Sequence, residues 1–131
     1  MILRALTILL VSNSALYAES AGTGQKLFHL HCAACHGSEA RGDGPMAEVL
    51  RVSPPDLTRL AQRNGGRLPA QAMAAQIDGT ATLPGHGATM PVYGYFFSDG
   101  AKHDHVVDGQ TVTASRPVVD LITWLQQLQV R

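Results

Sequence analysis

Cys32-Ala33-Ala34-Cys35-His36 is the stretch of sequence around which we expect the chain to fold. Two cysteines separated by two residues, with a histidine directly after the second, form the attachment pattern of a c-type haem. Each thiol adds to one vinyl group of the same porphyrin, so the thiols must lie about one helical turn apart. The histidine is then held below the iron and can bind it. We therefore predict one covalent haem c attached to Cys32 and Cys35, with His36 as the proximal iron ligand.

Two other kinds of site contain cysteines at this spacing. A redox disulfide of the thioredoxin type needs a βαβ setting, and no strand pattern leads into Cys32. A structural zinc ion usually needs four nitrogen or sulfur ligands. The chain has only 2 cysteines and no suitably spaced pair of histidines. Covalent haem is therefore the favoured interpretation.

Length and composition indicate one small domain. The 131 residues fall within the usual size of a single domain. Lysine plus arginine and aspartate plus glutamate both total 10, and no basic run occurs, so we expect no binding to nucleic acid. Aromatic residues make up only 5% of the chain, so a buried macrocycle would supply much of the core. We expect a monomer.

The N-terminus has the pattern of a secretory signal peptide. One arginine precedes the apolar residues 5–11, and small and polar residues follow. We predict cleavage after Ala18 or Ala15, which makes residues 1–18 the signal peptide and residues 19–131 the single domain. The apolar run is far shorter than the ~20 residues that a membrane span needs. An uncleaved membrane anchor is the alternative.

Hydrophobic periodicity predicts an all-α fold of about four helices joined by glycine- and proline-rich loops. The first helix is expected from Thr23 to the haem motif, and the second from an N-cap at Asp56. The third spans about residues 69–77, and the last follows an N-cap at Ser115. Around Asp108 the sequence is compatible either with a tight hairpin or with a plain loop.

The first and last helices are the most amphipathic and should pack on each other. A glycine inside a helix is costly, so Gly24 indicates a second helix crossing at close range. We expect Gly24 and Phe28 to face Leu121, Trp124 and Leu125 across this contact.

Met90 is the predicted distal iron ligand. It lies in a loop, is fixed by Pro91, and is far enough along the chain to return over the other face of the haem. Its thioether is a suitable soft ligand for haem iron. Met46 follows the haem motif too closely, and Met73 lies among small helical residues, where methionine is usually core. His86, in the same loop as Met90, is the main rival.

These residues together resemble the class I c-type cytochromes. Gly24 and Phe28 precede Cys32 at the spacing of that family's N-terminal helix, and Met90-Pro91 resembles its distal segment. The resemblance extends from about residue 22 to residue 129. It implies a small cytochrome c fold wrapped around one covalent haem. It also implies that the carbonyl of one proline, in Pro54-Pro55, accepts the other ring proton of the proximal histidine.

The resemblance further implies the function. A haem iron with His/Met ligation has no open site for a substrate, so we expect a soluble one-electron carrier and not an enzyme. Redox partner proteins, such as a membrane respiratory complex, would dock transiently at the exposed haem edge. The expected location is the periplasm. The alternatives are a haem subunit of a larger respiratory oxidoreductase complex, and a gas- or peroxide-binding haem protein with an open sixth position.

For several polar side chains, the sequence leaves two possible roles open. His103 and His105 flank an aspartate and either bind a metal or are solvated, and residues 98–114 are either a docking element or decoration. A second group either reaches the haem propionates or lies on a solvated or packing surface. This group consists of Arg59, Arg63, Arg67, Tyr93 and Tyr95.

Overall fold

The computed structural model describes residues 2–81, 90–97 and 101–130, with side chains from residue 14 onward. This part of the chain contains six α-helices and one β-hairpin. The helices are α1 (Ile2–His31), α2 (Ala33–His36), α3 (Leu60–Arg63), α4 (Ala70–Asp78), α5 (Gly94–Phe97) and α6 (Arg116–Gln127). The strands are β1 (His103–Val107) and β2 (Gln110–Ala114), and short 3-10 turns span Ala47–Val49 and Leu57–Arg59.

Helix α1 is longer than predicted. The expected start at Thr23 is wrong, because one helix of 30 residues runs from Ile2 to His31. Neither a proline nor a capping break interrupts this stretch, and the two glycines are too few to end it. Within the described residues, no helix has both the length and the apolar character needed to cross a bilayer.

The crossing of α1 and α6 forms the centre of the fold, as predicted. A Cβ atom on Gly24 would collide with the backbone carbonyl of Asp120, so only glycine allows the two helices this close. One turn further on, the Phe28 and Trp124 ring centroids lie 4.7 Å apart. On the other side, the Ser20 hydroxyl donates a hydrogen bond to the buried Asp120 carboxylate. These contacts fix the direction in which α1 delivers the haem motif.

The β-hairpin between residues 103 and 114 is a departure from the all-α prediction. Its turn has positive φ at both central residues, 51° at Asp108 and 67° at Gly109, which is the geometry of a type I′ turn. The hairpin reading of this segment is therefore confirmed. The Asp108 carboxylate accepts hydrogen bonds from Leu68 N (3.3 Å) and from Gln126 Nε2 (3.1 Å). These bonds hold the hairpin against the residues before α4 and against α6.

The two shorter predicted helices are confirmed with small changes at their ends. Asp56 is an N-cap whose carboxylate accepts from Thr58 N at 2.9 Å, and the turn that it starts continues into α3. Helix α4 begins after Pro69 and ends at Gly79, which adopts the left-handed conformation typical of a helix C-terminus. Both helices line one cavity together with the haem motif.

Candidate functional site

An apolar cavity of about 310 Å³ lies between α2, α4 and the segment before α5. This volume is within the range of roughly 300–1,000 Å³ that cofactor sites occupy. Cys32, Cys35 and His36 line one part of it, and Met90 lines another. The remaining lining is mainly aliphatic and proline side chains: Leu50, Val52, Pro54, Pro55, Leu57, Leu60, Pro69, Ala72, Met73, Ile77, Pro91 and Leu125.

Backbone hydrogen bonds hold the haem motif at the end of α1. Cys32 N donates to Phe28 O at 2.8 Å, and His36 N donates to Cys32 O at 2.9 Å. The loop that follows packs under this turn, because a Cβ atom on Gly44 would meet the carbonyls of Ala33 and Ala34. The short helix α2 and its N-cap Cys32 present two thiols and an imidazole to the same cavity.

The surroundings of Cys32 differ from those of a redox-active thiol. Both cysteines are half-buried. Burial, with a smaller contribution from the neighbouring Cys35, raises the pKa of the Cys32 thiol to about 11. Redox-active dithiols have a lowered thiol pKa, because the thiolate is the nucleophile. The raised pKa of Cys32 is the opposite of the lowered thiol pKa of a redox-active dithiol.

The imidazole of His36 is prepared for a neutral, metal-binding role. Burial lowers its pKa, and the Pro55 carbonyl partly opposes this effect. Its Nδ1 atom is buried and has no partner of full hydrogen-bond geometry among the described residues. Gly42 donates its N–H to His36 O at 2.8 Å and lies against the carbonyls of both Pro54 and Pro55. Of the two prolines that the sequence left open, Pro55 is the one whose carbonyl acts on the pKa of His36.

Met90 is held by the C-terminal end of α4. Tyr93 N, three residues after Met90, donates to Ile77 O at 2.9 Å. A Cβ atom on Gly94 would collide with the Asp78 carbonyl, so the segment lies directly on the end of α4. Met90 Sδ then lies 3.9 Å from Gln76 Nε2. The same side chain lines the cavity that also contains the imidazole of His36.

The rival iron ligands have different surroundings. Met46 is 46% exposed and is not part of the cavity wall, whereas Met73 is buried and does line it. His86 lies outside the described residues. His103 is exposed and His105 is half-buried on strand β1. No group of three or more histidine, cysteine, aspartate or glutamate side chains gathers anywhere in the described residues, so no metal clip is seen there.

The candidate propionate partners are not brought together at the cavity. Arg59 Nε pairs with the Asp56 carboxylate at 3.4 Å, and Arg63 donates to the Asp56 carbonyl at 3.3 Å. Tyr95 is 95% exposed. The Tyr93 hydroxyl lines the cavity but donates to His31 O at 2.8 Å, which ties the segment after Met90 to the end of α1.

Another cavity, of about 370 Å³, is lined by polar and charged side chains, including Arg41 and Arg59, together with Trp124. Both arginines are paired with acidic residues. Among the described residues, no cysteine or histidine lines this cavity, so they do not offer the donors of a haem site there.

Gln76 is the side chain of the site that the sequence analysis missed. It is a polar residue three positions after Met73 on α4, and both side chains line the cavity. Residues three apart lie on the same face of a helix, so a glutamine next to a buried methionine was a detectable signal. This signal could be interpreted only with the structure, which shows which face of α4 lines the cavity.

The donor set and the shape of the apolar cavity together fit a covalently attached haem. Comparison with protein families gives a match to the family described as cytochrome c, over residues 21–106. No curated protein and no solved structure matches the chain.

Proposed function

This chain belongs to the cytochrome c family, and from that premise we propose that it is a soluble one-electron carrier with His36 and Met90 as axial iron ligands. The cofactor of the family is covalent haem c with its iron, which takes up and releases one electron. We assign its attachment to Cys32 and Cys35. The observation that carries this proposal is that both thiols, His36 and Met90 line one cavity.

Each of these residues has a defined task. The thiols of Cys32 and Cys35 would hold the macrocycle, and the Pro55 carbonyl, which acts on the pKa of His36, would orient its imidazole. The Met90 thioether would be the second protein ligand of the iron, which would leave no position for a substrate and would let the haem pass electrons without bond making. A His/Met pair in an apolar site favours the reduced state and raises the reduction potential. We therefore propose that the protein is not an enzyme.

The ligand assignment is tested with two matched variants of the haem-loaded protein. Met90→Leu and Met73→Leu each remove one thioether from the cavity wall with little change in volume. We expect Met90→Leu to abolish the far-red iron–methionine charge-transfer band of the oxidised protein and to allow rapid carbon monoxide binding to the reduced protein. Met73→Leu should keep the band. The reverse pattern would show that Met73, and not Met90, is the distal ligand.

The two alternatives predict different results for the unmodified protein. A gas- or peroxide-binding protein would be high-spin and would bind carbon monoxide rapidly without any substitution. A haem subunit of a larger oxidoreductase would co-purify with its partner in a stable complex. We expect neither result.

We propose that partners dock on an apolar rim, defined as Val52, Val92, Tyr95 and Phe96. These side chains are between 56% and 95% exposed. Val52 lines the cavity, and the Phe96 ring lies 4.9 Å from the ring of His31, another lining residue. The rim is uncharged and the whole chain has zero formal net charge. Electron transfer to a respiratory partner should therefore depend weakly on ionic strength and fall in Phe96→Ser.

We also propose that residues 1–18 are a cleaved signal peptide and that residues 19–131 work as one periplasmic domain. Ser20 is buried and bonded to Asp120, so a mature chain needs to begin before Ser20, as cleavage after Ala18 or Ala15 allows. Mass spectrometry of the haem-loaded protein from a periplasmic fraction tests this. A mass that includes the leader would support the anchored alternative.

A further inference from the structure

The cavity of about 370 Å³ lies outside the haem site, and the proposed function makes no use of it. One part of its lining is apolar and comes from α6 and the residues after it: Trp124, Leu128 and Val130. Another part is cationic, because the side chains of Arg41 and Arg59 also line it. A small molecule with an apolar body and a negatively charged group matches this division.

Contacts within the protein hold the walls of this cavity in place. Val130 N donates to Thr58 O at 2.9 Å, which joins the chain after α6 to the turn that carries Arg59. Trp124 is 6% exposed, and the centroid of its ring lies 4.7 Å from that of Phe28. The cavity is therefore formed before a ligand arrives, which lowers the entropic cost of binding.

The loop that carries Arg41 is held in a strained conformation. Ala40 is fully buried and has a φ of 60°, in the left-handed region that alanine rarely adopts. Its carbonyl accepts a hydrogen bond from Leu57 N at 2.8 Å, which fixes it there. Backbone strain of this kind is concentrated at ligand-binding sites. Here it holds Glu39 and Arg41, one on each side of Ala40, at the cavity that both of them line.

Both arginines are available to a ligand. Arg41 Nε lies 3.0 Å from the Glu39 carboxylate, and Arg59 Nε lies 3.4 Å from the Asp56 carboxylate. Both arginine side chains are more than half exposed, so these ion pairs are weak and a ligand replaces them at little cost. Each guanidinium also has further N–H donors on its terminal nitrogens. Because Asp56 does not line the cavity, the lining has two cations and one anion and favours a negative charge.

We propose that this cavity binds a small organic carboxylate, whose charged group pairs with Arg41 and Arg59 and whose apolar body lies against Trp124. A planar guanidinium matches the geometry of a carboxylate and can bind both of its oxygens. The volume is near the lower limit for small-molecule sites, so the ligand has about the size of one substituted ring. The inference goes beyond electron transfer and does not depend on the assignment of Met90.

Benzoate is the probe that tests the site, and benzamide, which has nearly the same shape without the charge, is its matched control. Trp124 is the only tryptophan of the chain, so its indole N–H gives a single NMR signal that reports on the cavity. In the reduced, haem-loaded protein, we expect benzoate to shift this signal saturably and benzamide to bind about five- to tenfold more weakly. Inorganic phosphate, which has charge but no apolar body, should also bind more weakly than benzoate. Equal binding of benzoate and benzamide, the absence of a saturable shift, or a change in haem absorbance that places benzoate at the iron would each overturn the proposal.

Three substitutions of exposed side chains distinguish pairing in the cavity from a general effect of charge. Arg41→Gln removes one guanidinium and should weaken benzoate binding about five- to tenfold. Glu39→Gln removes the competing carboxylate and should strengthen binding about two- to threefold. Arg67→Gln changes the net charge as Arg41→Gln does, but Arg67 does not line the cavity, so the affinity should be unchanged. An equal loss of affinity in Arg67→Gln, or no loss in Arg41→Gln, would refute the assignment of the carboxylate to this cavity.

Discussion

Gly24→Ala should destabilise the protein although alanine is the better helix former. In an exposed helix, this substitution gains about 0.5–1 kcal/mol. At Gly24 the new methyl group would overlap the backbone carbonyl of Asp120 and would approach Leu121 N to 2.9 Å. Backbone atoms cannot move away by changing rotamer, so α1 and α6 must separate.

The size of the loss follows from the packing at this crossing. Overpacking a close contact costs typically about 1–3 kcal/mol, and a contact between two backbones belongs at the upper end. Separation would also loosen the Phe28–Trp124 ring contact one turn away. After the gain in helix propensity is subtracted, we expect a net loss of about 2 kcal/mol in the free energy of unfolding.

Gly22→Ala provides the matched control on the same helix. A Cβ atom at Gly22 has no atom within 4 Å. Gly22→Ala should therefore raise the free energy of unfolding by the gain in helix propensity alone, about 0.5–1 kcal/mol. Guanidinium unfolding of the haem-loaded proteins, followed by circular dichroism and by haem absorbance, measures both. If Gly24→Ala is as stable as Gly22→Ala with the same denaturant dependence, the close approach of α1 and α6 is refuted.

Three further substitutions test contacts around the cavity by the same unfolding measurement. Asp56→Ala removes an N-cap and should cost about 1 kcal/mol at neutral pH. The Thr58 hydroxyl holds the pKa of the Asp56 carboxyl below its ordinary value of 3.8. The N-cap therefore stabilises the protein fully above that pH. The stabilisation by the N-cap is lost as the pH falls through the lowered pKa, so the variant and the unmodified protein should then have the same free energy of unfolding. A loss of stability that does not depend on pH would contradict this. Tyr93→Phe leaves the His31 carbonyl without its partner at 2.8 Å and should cost about 1–2 kcal/mol; no loss would mean that water replaces the hydroxyl. Lys102→Met leaves the carboxylate of Asp78, 4% exposed, without its ion pair at 2.7 Å. Because the lysine is 43% exposed, we expect the free energy of unfolding to fall by only about 1 kcal/mol. No loss would mean that solvent fully screens the ion pair.

Local sequence rules predicted the parts of the fold that depend on neighbours along the chain. The turn at Asp108 and Gly109 needs positive φ at two successive residues, and the sequence supplies the residue types that tolerate it. The left-handed end of α4 at Gly79 follows from the same argument. The start of α1 was missed because its N-terminal limit depended on a cap at Thr23, where the helix simply continues.

The sequence alone determined the haem-attachment motif, the candidate ligands and the close crossing at Gly24. Each is a matter of residue type at a fixed spacing, and within a helix that spacing sets the geometry. The tertiary structure alone showed that the Pro55 carbonyl acts on the pKa of His36, and that Gln76 Nε2 lies 3.9 Å from the sulfur of Met90. These contacts join elements separated by loops, and their distances are set by how the helices pack, which no spacing along the chain records.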